Sequence, residues 1–307
     1  MDFGKLPNIG RVDFRLPEAG TEPDTRSLLV LKAVGNEAAP VVRVGCPVWA
    51  ERKWVGRVYP LGAQPSDFLH HYSRQFDTIE LNATHYRIPT PESVLEWRRE
   101  TPPEFRFCPK WPQEISHHRE LLDCEPLTAM FCDSLSRLGD RLGTSFLQLS
   151  PGFAPNRLPL LKRFLERLPS KFPVCVEFRH ADWFKDHQLI PSACDVLERL
   201  GAGTVITDVA GRRDAAHVSL TAPRALIRFV GNELDPTDTT RIEDWVPRLK
   251  LWLENGLQEL YFCCHEPDNV LAPELAHIFI DRMNRLTSAG LRRWQAMDQG
   301  TQLGFGI

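Results

Sequence analysis

Residues 76–86 read FDTIELNATHY. Ile79 and Leu81 interleave with Glu80 and Asn82, so a period of two puts the aliphatic pair on one side of a strand and the two polar groups on the other. An edge strand facing water explains one such segment, but the pattern returns. Phe172, Val174, Val176 and Phe178 share one face of a later run and leave Cys175, Glu177 and Arg179 on the other. Phe105 and Phe107 alternate with Cys108 and Lys110, and Leu147 and Leu149 alternate with Gln148 and Ser150. In every case the polar side falls late in the run.

These segments belong to a set of eight β-rich runs, at residues 41–46, 76–83, 104–110, 144–150, 172–179, 203–208, 224–231 and 257–265. Helical patterns separate most of them. In 240–256, Thr240 and Glu243 make a capping box, and Ile242, Trp245, Val246, Leu249, Trp252 and Leu253 recur at helical spacing before Gly256. A second stripe runs from Leu127 to Leu142, and Thr90 followed by Pro91 marks another helix start. After Asp208 the segment VAGRRDAAHVSLTA has no helical period, so the sixth crossover is expected to be a structured loop.

Eight strands alternating with helices, and no Gly-rich dinucleotide fingerprint after the first strand, predict an α/β protein with the (β/α)8 TIM-type barrel architecture. The barrel is expected as a single domain over 41–290, preceded by an N-terminal arm (1–40) rich in Gly, Pro and acidic turn formers, and followed by a tail (291–307).

The outer face of a barrel strand packs on helices and must be apolar, whereas inward residues at the C-terminal strand ends line the mouth where barrel enzymes keep their sites. Glu80 and Asn82 therefore point inward. By the same logic Lys110, Gln148, Glu177, Arg179, Asp208, Arg228 and His265 converge with them on one pocket. Buried charges must be paired, and the simplest pairs are Glu177 with Lys110 and Asp208 with Arg228.

The 307 residues carry 37 Lys plus Arg against 40 Asp plus Glu, a formal charge of -3, so no global basic field marks a nucleic-acid binder. The eight cysteines form no CxxC pair and lie mostly in apolar runs, as small buried thiols of a reducing compartment do. The N-terminus has no apolar leader, and no run approaches the roughly 20 residues of a membrane helix. A cytoplasmic protein without membrane contact is the expectation.

The segments RVGCPVWAERKWVGRVYP, FDTIELNATHYRIPTPESVLEW, FRFCPKWPQEISH, CVEFRHADWF and VITDVAGRRDAAH resemble the YecE-like family, a domain of unknown function. The resemblance covers roughly residues 41–285. It implies a TIM-type barrel related to sugar isomerases and places motif positions on Trp49, Trp54, Tyr59, Glu80, Asn82, Thr84, Tyr86, Lys110, His117, Glu177, Arg179, Trp183 and Asp208. The chain departs from the commoner family pattern at Cys46-Pro47-Val48 and at CCHEPDN, 263–269.

Three functions fit this set. In the first, Glu80 and Glu177 act as acid and base on a small polar, anionic, sugar-like substrate. Lys110, Asp208 or His265 assist the proton transfers, Arg179, Arg228, Arg212 and Arg213 grip the anion, Asn82, Gln148 and His117 hydrogen-bond, and Trp49, Tyr86 and Trp183 stack on the sugar. This reading needs no cofactor. In the second, Glu80, Glu177, Asp208 and His265 hold magnesium or manganese for phosphoester hydrolysis or isomerisation. In the third, the sixth-crossover loop GRRDAAH binds a ligand or partner without catalysis. No nucleotide-binding loop, Ser or Cys nucleophile motif or flavin signature is present.

Overall fold

The computed structural model describes residues 4–34, 39–287 and 290–292; residues 293–307 of the expected tail lie outside them. After helix α1 (Glu22–Val34), strand β1 (Val41–Cys46) leads to α2 (Phe68–Gln75), β2 (Thr78–Leu81), the short α3 (Ala83–Tyr86), α4 (Pro91–Glu100) and β3 (Arg106–Pro109). There follow α5 (Glu125–Ser136), β4 (Ser145–Gln148), α6 (Leu158–Glu166), β5 (Val174–Glu177), a small hairpin of β6 (Phe184–Lys185) and β7 (Gln188–Leu189), and α7 (Pro191–Leu200). The chain ends with β8 (Gly203–Asp208), β9 (Arg224–Val230), α8 (Pro236–Glu254), β10 (Glu259–His265) and α9 (Ala272–Leu286).

The eight expected runs are the eight strands of one parallel sheet, in the order β3-β2-β1-β10-β9-β8-β5-β4. Its two ends meet: Phe107 bridges to Leu142 and Lys110 to Phe146, and the Trp111 N–H donates to the Phe146 carbonyl at 3.1 Å. The ring is thus a near-closed barrel with its helices outside, and Ile79, Leu81, Leu147, Val176, Ile206 and Phe262 all join the core between strands and helices. Gly45 permits the tight approach of β1 to β2, since a Cβ there would overlap the Thr78 carbonyl.

The crossover from β8 to β9 contains no α-helix, only one 3-10 turn at Arg213–Ala215, as its sequence implied. Two helix boundaries differ from expectation. Helix α8 begins at Pro236 because Asp235 caps it, accepting from the Thr237 N–H at 2.9 Å, while the Thr240 hydroxyl bonds back to the Thr237 carbonyl. Helix α5 stops at Ser136, and the stripe continues through a turn in which Gly139 adopts φ 56°.

The N-terminal residues pack along the barrel. The Ser27 hydroxyl donates to the Val218 carbonyl at 2.9 Å, Arg26 pairs with Asp195 and Glu198, and Arg248 pairs with Asp24. No described helix is long and apolar enough to cross a membrane. All eight cysteines are buried free thiols.

Candidate active site

The interior of the barrel is layered by the two-residue strand period. Cys108, Phe146, Cys175, Val205, Leu226 and Tyr261 form an apolar plug. Two residues farther along the same strands stand Lys110, Gln148, Glu177, Thr207, Arg228 and Cys263, joined by Glu80 from β2. The charged layer therefore rests on a buried, largely apolar floor.

Arg228, with no exposure, organises this layer. Its Nε and Nη2 donate to Glu80 at 2.9 and 2.8 Å, and its Nη1 donates to Glu177 at 3.0 Å. Glu80 also takes the Asn82 amide at 2.9 Å and faces His265 Nε2 at 2.7 Å. Glu177 receives the Thr207 hydroxyl and Arg179 Nη2, the latter at 2.6 Å. Arg179 continues to the Gln148 side-chain oxygen Oε1 at 3.0 Å, and Gln148 Nε2 lies 3.3 Å from His117 Nε2.

Burial alone pushes the Glu80 carboxyl up, but Arg228 and then His265 outweigh it and hold it well below the usual carboxylate range. Glu177 is treated alike: burial raises it, and Arg179 with Arg228 brings it down. Both are fixed as anions. The expected division of Glu80 and Glu177 into an acid and a base is therefore corrected: their environments shift both in one direction, and cations occupy their oxygens. The expected pairs are corrected too, because Arg228 takes both glutamates and leaves Lys110 and Asp208 elsewhere.

Lys110 is buried, and its ammonium makes no hydrogen bond or ion pair among the described residues. It lies 5.9 Å from the centre of the Phe146 ring. Burial first, then Arg228, lowers its pKa to about 8. Thr84 fixes the main chain at this point, its hydroxyl reaching the Leu81 and Lys110 carbonyls at 2.9 and 2.7 Å.

Above the layer opens a cavity of about 680 Å³, bordered by Lys110, Asn82, Tyr86, His265, Glu266, Asn232 and Asn269 and by residues 4–9 of the arm. Glu266 is a site residue that sequence reasoning passed over. Only 3% exposed, it accepts the Glu233 N–H through Oε2 at 2.8 Å, while Oε1 has no hydrogen-bond partner among the described residues. Burial raises its pKa to about 7. Its signal was its place directly after His265 in CCHEPDN. His85 and His117 form an edge-to-face pair at 5.2 Å, and burial lowers each to about 4, so both are neutral imidazoles at pH 7.

The other expected site residues lie outside this group. Asp208 shares the outward face with Ile206 and binds Arg213, Arg241 at 3.1 Å and the Trp245 indole at 2.7 Å. Thr207 takes the inward place in its stead. Arg212 pairs with Asp214 and donates to the Arg179 carbonyl, and Arg213 pairs with Asp208 and donates to the Phe14 carbonyl at 2.9 Å. Their guanidinium groups brace loop and arm. Trp183 is fully buried, donating to the Phe153 carbonyl at 2.7 Å and packed on Phe178. Trp49 packs on Trp97 and Phe107 on the outer face. Of the three expected stacking residues only Tyr86, 74% exposed, reaches the cavity. Trp54 and Tyr59 are buried against each other in the first crossover.

Residues 43–298 match the family described as Protein of unknown function DUF72. The UPF0759 protein YecE of Escherichia coli (strain K12) is 35% identical over 255 residues, 77% of this chain and 90% of that protein. The UPF0759 protein YunF of Bacillus subtilis (strain 168) is 25% identical over 186 residues, 54% of this chain and 64% of that protein. Among solved structures, a DUF72 family protein from Thermotoga maritima MSB8 superposes with a TM-score of 0.63 at 24% identity, covering 80% of this chain and 99% of that one. Another from Enterococcus faecalis V583 gives 0.60 at 18% identity, covering 80% and 98%. At these identities the structural likeness concerns the fold, while the family match and the YecE identity establish kinship: this chain belongs to the DUF72 family and is a relative of YecE.

Proposed function

We propose that the mouth of the barrel is an active site in which Lys110 and Glu266 move protons on a small anionic, sugar-like substrate. The observation that supports this most is the placement of a buried, unpaired amine and a buried, half-satisfied carboxyl on one cavity of substrate size. The two titrate near neutrality, at about 8 and about 7. At pH 7 one is largely ammonium and the other about half carboxylate, the states that donate and accept a proton.

In this reading Glu266 takes a proton from carbon beside a substrate carbonyl and returns it, and Lys110 donates a hydrogen bond to the carbonyl oxygen as negative charge develops there. Glu80, Arg228, Glu177 and Arg179 are a rigid support. Three cations, Arg228, Arg179 and Lys110, face two permanently ionised carboxylates, and the unbalanced positive charge sits on Lys110 and favours an anion. Asn82, Asn232 and Asn269 offer amides to substrate hydroxyls.

The divalent-metal reading draws less support. Guanidinium groups occupy oxygens of both Glu80 and Glu177, Asp208 faces outward, and no three His, Cys, Asp or Glu side chains are grouped to hold a metal among the described residues. The partner-binding reading loses Arg212 and Arg213, which are engaged within the chain.

The test is a thermal-shift screen against sugar phosphates, sugar acids and divalent metals, with Lys110→Met and Glu266→Gln beside the parent protein. A sugar phosphate or sugar acid that raises the Tm of the parent, and is lost with Lys110→Met, supports the proposal. A shift by metals alone, or one indifferent to both variants, overturns it.

A further inference from the structure

The cavity has one wall that does not come from the barrel. Residues 4–9, GKLPNI, border it and lie before residue 43, where the family match begins. Their position is fixed by specific contacts. The Gly211 N–H donates to the Gly4 carbonyl at 2.8 Å, and Gly4, at φ 69°, lies so close to Val209 that a Cβ would collide with it. Farther along the arm, Phe14 is clamped between cations: its ring lies 5.2 Å from the Arg213 guanidinium and 4.9 Å from that of Arg241. Arg213 also donates to the Phe14 carbonyl at 2.9 Å, and Arg241 stacks on Phe229 behind it at 4.1 Å.

This anchoring explains why Arg213, Arg241, Asp208 and Asp238 are assembled behind the barrel mouth. Asp208 pairs with both arginines, and Asp238 holds Arg241 at 3.1 Å. A group of four charges whose guanidinium faces carry one aromatic ring of the arm is a dock for that arm. Val209 and Gly211, which receive Gly4, follow β8; Lys110 follows β3, three places away around the eight-membered ring. The arm therefore enters the mouth on nearly the opposite side from Lys110, and Lys5 is a second cation on the same cavity.

We infer that the N-terminal arm is a fixed part of the ligand site, and that Lys5 is an anion-binding residue that steers a carboxylate or phosphate of the ligand toward Lys110. The inference rests on the reading of the mouth as a site for anions. It assigns to residues 4–9 the control of which anions enter.

Lys110 itself supplies a reporter, because an amine with a pKa near 8 condenses with a small aldehyde at pH 8, and borohydride fixes the imine as a secondary amine. The full-length protein is treated with glyoxylate, an anionic aldehyde, or with glycolaldehyde, a neutral one, and the label on Lys110 is quantified by peptide mass spectrometry. Lys5→Glu is expected to lower the glyoxylate rate relative to the glycolaldehyde rate by about tenfold, and Lys5→Ala by about threefold, as a local field does on a charged reagent. Lys5 is exposed, so both of its variants are expected to fold as the parent does. A second variant, Gly4→Val, displaces the arm without changing any charge and should lower the same ratio. If the ratio moves by less than twofold in Lys5→Glu, the role of the arm is refuted while the site stands. If neither aldehyde labels Lys110 in the parent protein, the mouth is not an open site, and both readings fall.

Discussion

Arg228 clasps Glu80 with two nitrogens, Nε at 2.9 Å and Nη2 at 2.8 Å, and neither side chain has any exposure. The two residues belong to β9 and β2, between which lie β10 and β1. Since Arg228 also reaches Glu177 on β5, past β8, a single guanidinium ties three non-adjacent strands across the barrel interior.

Removal of that guanidinium takes the main counter-charge from buried Glu80 and one of the two arginines from buried Glu177. Arg228→Met is expected to cost about 3–5 kcal/mol, whereas Glu80→Gln, which keeps the shape and some hydrogen bonds, should cost about 1–3 kcal/mol. Urea unfolding of both variants checks the order. Equal or reversed losses would show that the cluster is not organised around Arg228.

The two proton-carrying groups give stability opposite slopes with pH. The folded protein holds a proton on Glu266 up to about 7, above the ordinary 4.5, so between those values the native state binds more protons and stability falls as pH rises. Lys110 loses its proton at about 8 in place of 10.5, so between those values the unfolded chain binds more protons and stability rises with pH. Each effect amounts to about 3 kcal/mol over its window. Glu266→Gln should abolish the first slope and Lys110→Met the second, measured as the urea midpoint across pH; a slope that survives its own substitution contradicts the assignment.

Gly231 leaves room for the Glu266 carboxyl, since a Cβ there would overlap Oε1 and crowd Oε2. Gly231→Ala is therefore expected to displace Glu266 and cost about 1–3 kcal/mol. In a titration of Glu266 followed by carboxyl NMR, its pKa should drop toward the ordinary value as the side chain is pushed into the cavity. A pKa that stays near 7 would show that the carboxyl is not set by this contact.

Trp183 separates packing from ligand contact. With its indole bonded to Phe153 and its ring on Phe178, Trp183→Ala should cost about 3–5 kcal/mol. Tyr86→Ala, on an exposed ring at the cavity edge, should leave the unfolding midpoint nearly unchanged and weaken any ligand found by thermal shift. An exchange of these two outcomes would return Trp183 to the site.

The sequence by itself determined the number of strands, the face each turns inward and the late position of the charges, because the side-chain period of two and the apolar demand of the helix-covered face are local properties. Glu80, Lys110, Glu177, Arg228 and His265 were legible for that reason. Asp208 was misplaced although its signal was present: Ile206, two residues before it, marks the outward face, and Thr207 is the inward neighbour. Only the tertiary structure decided the partners. Which cation meets which carboxylate depends on the ring order of strands far apart in the chain, and it placed Arg228 between Glu80 and Glu177 and left Lys110 unpaired. Burial likewise depends on every surrounding element, which is why Glu266, an unremarked carboxylate in CCHEPDN, has its pKa raised only once the fold buries it beside Gly231 and the Glu233 N–H.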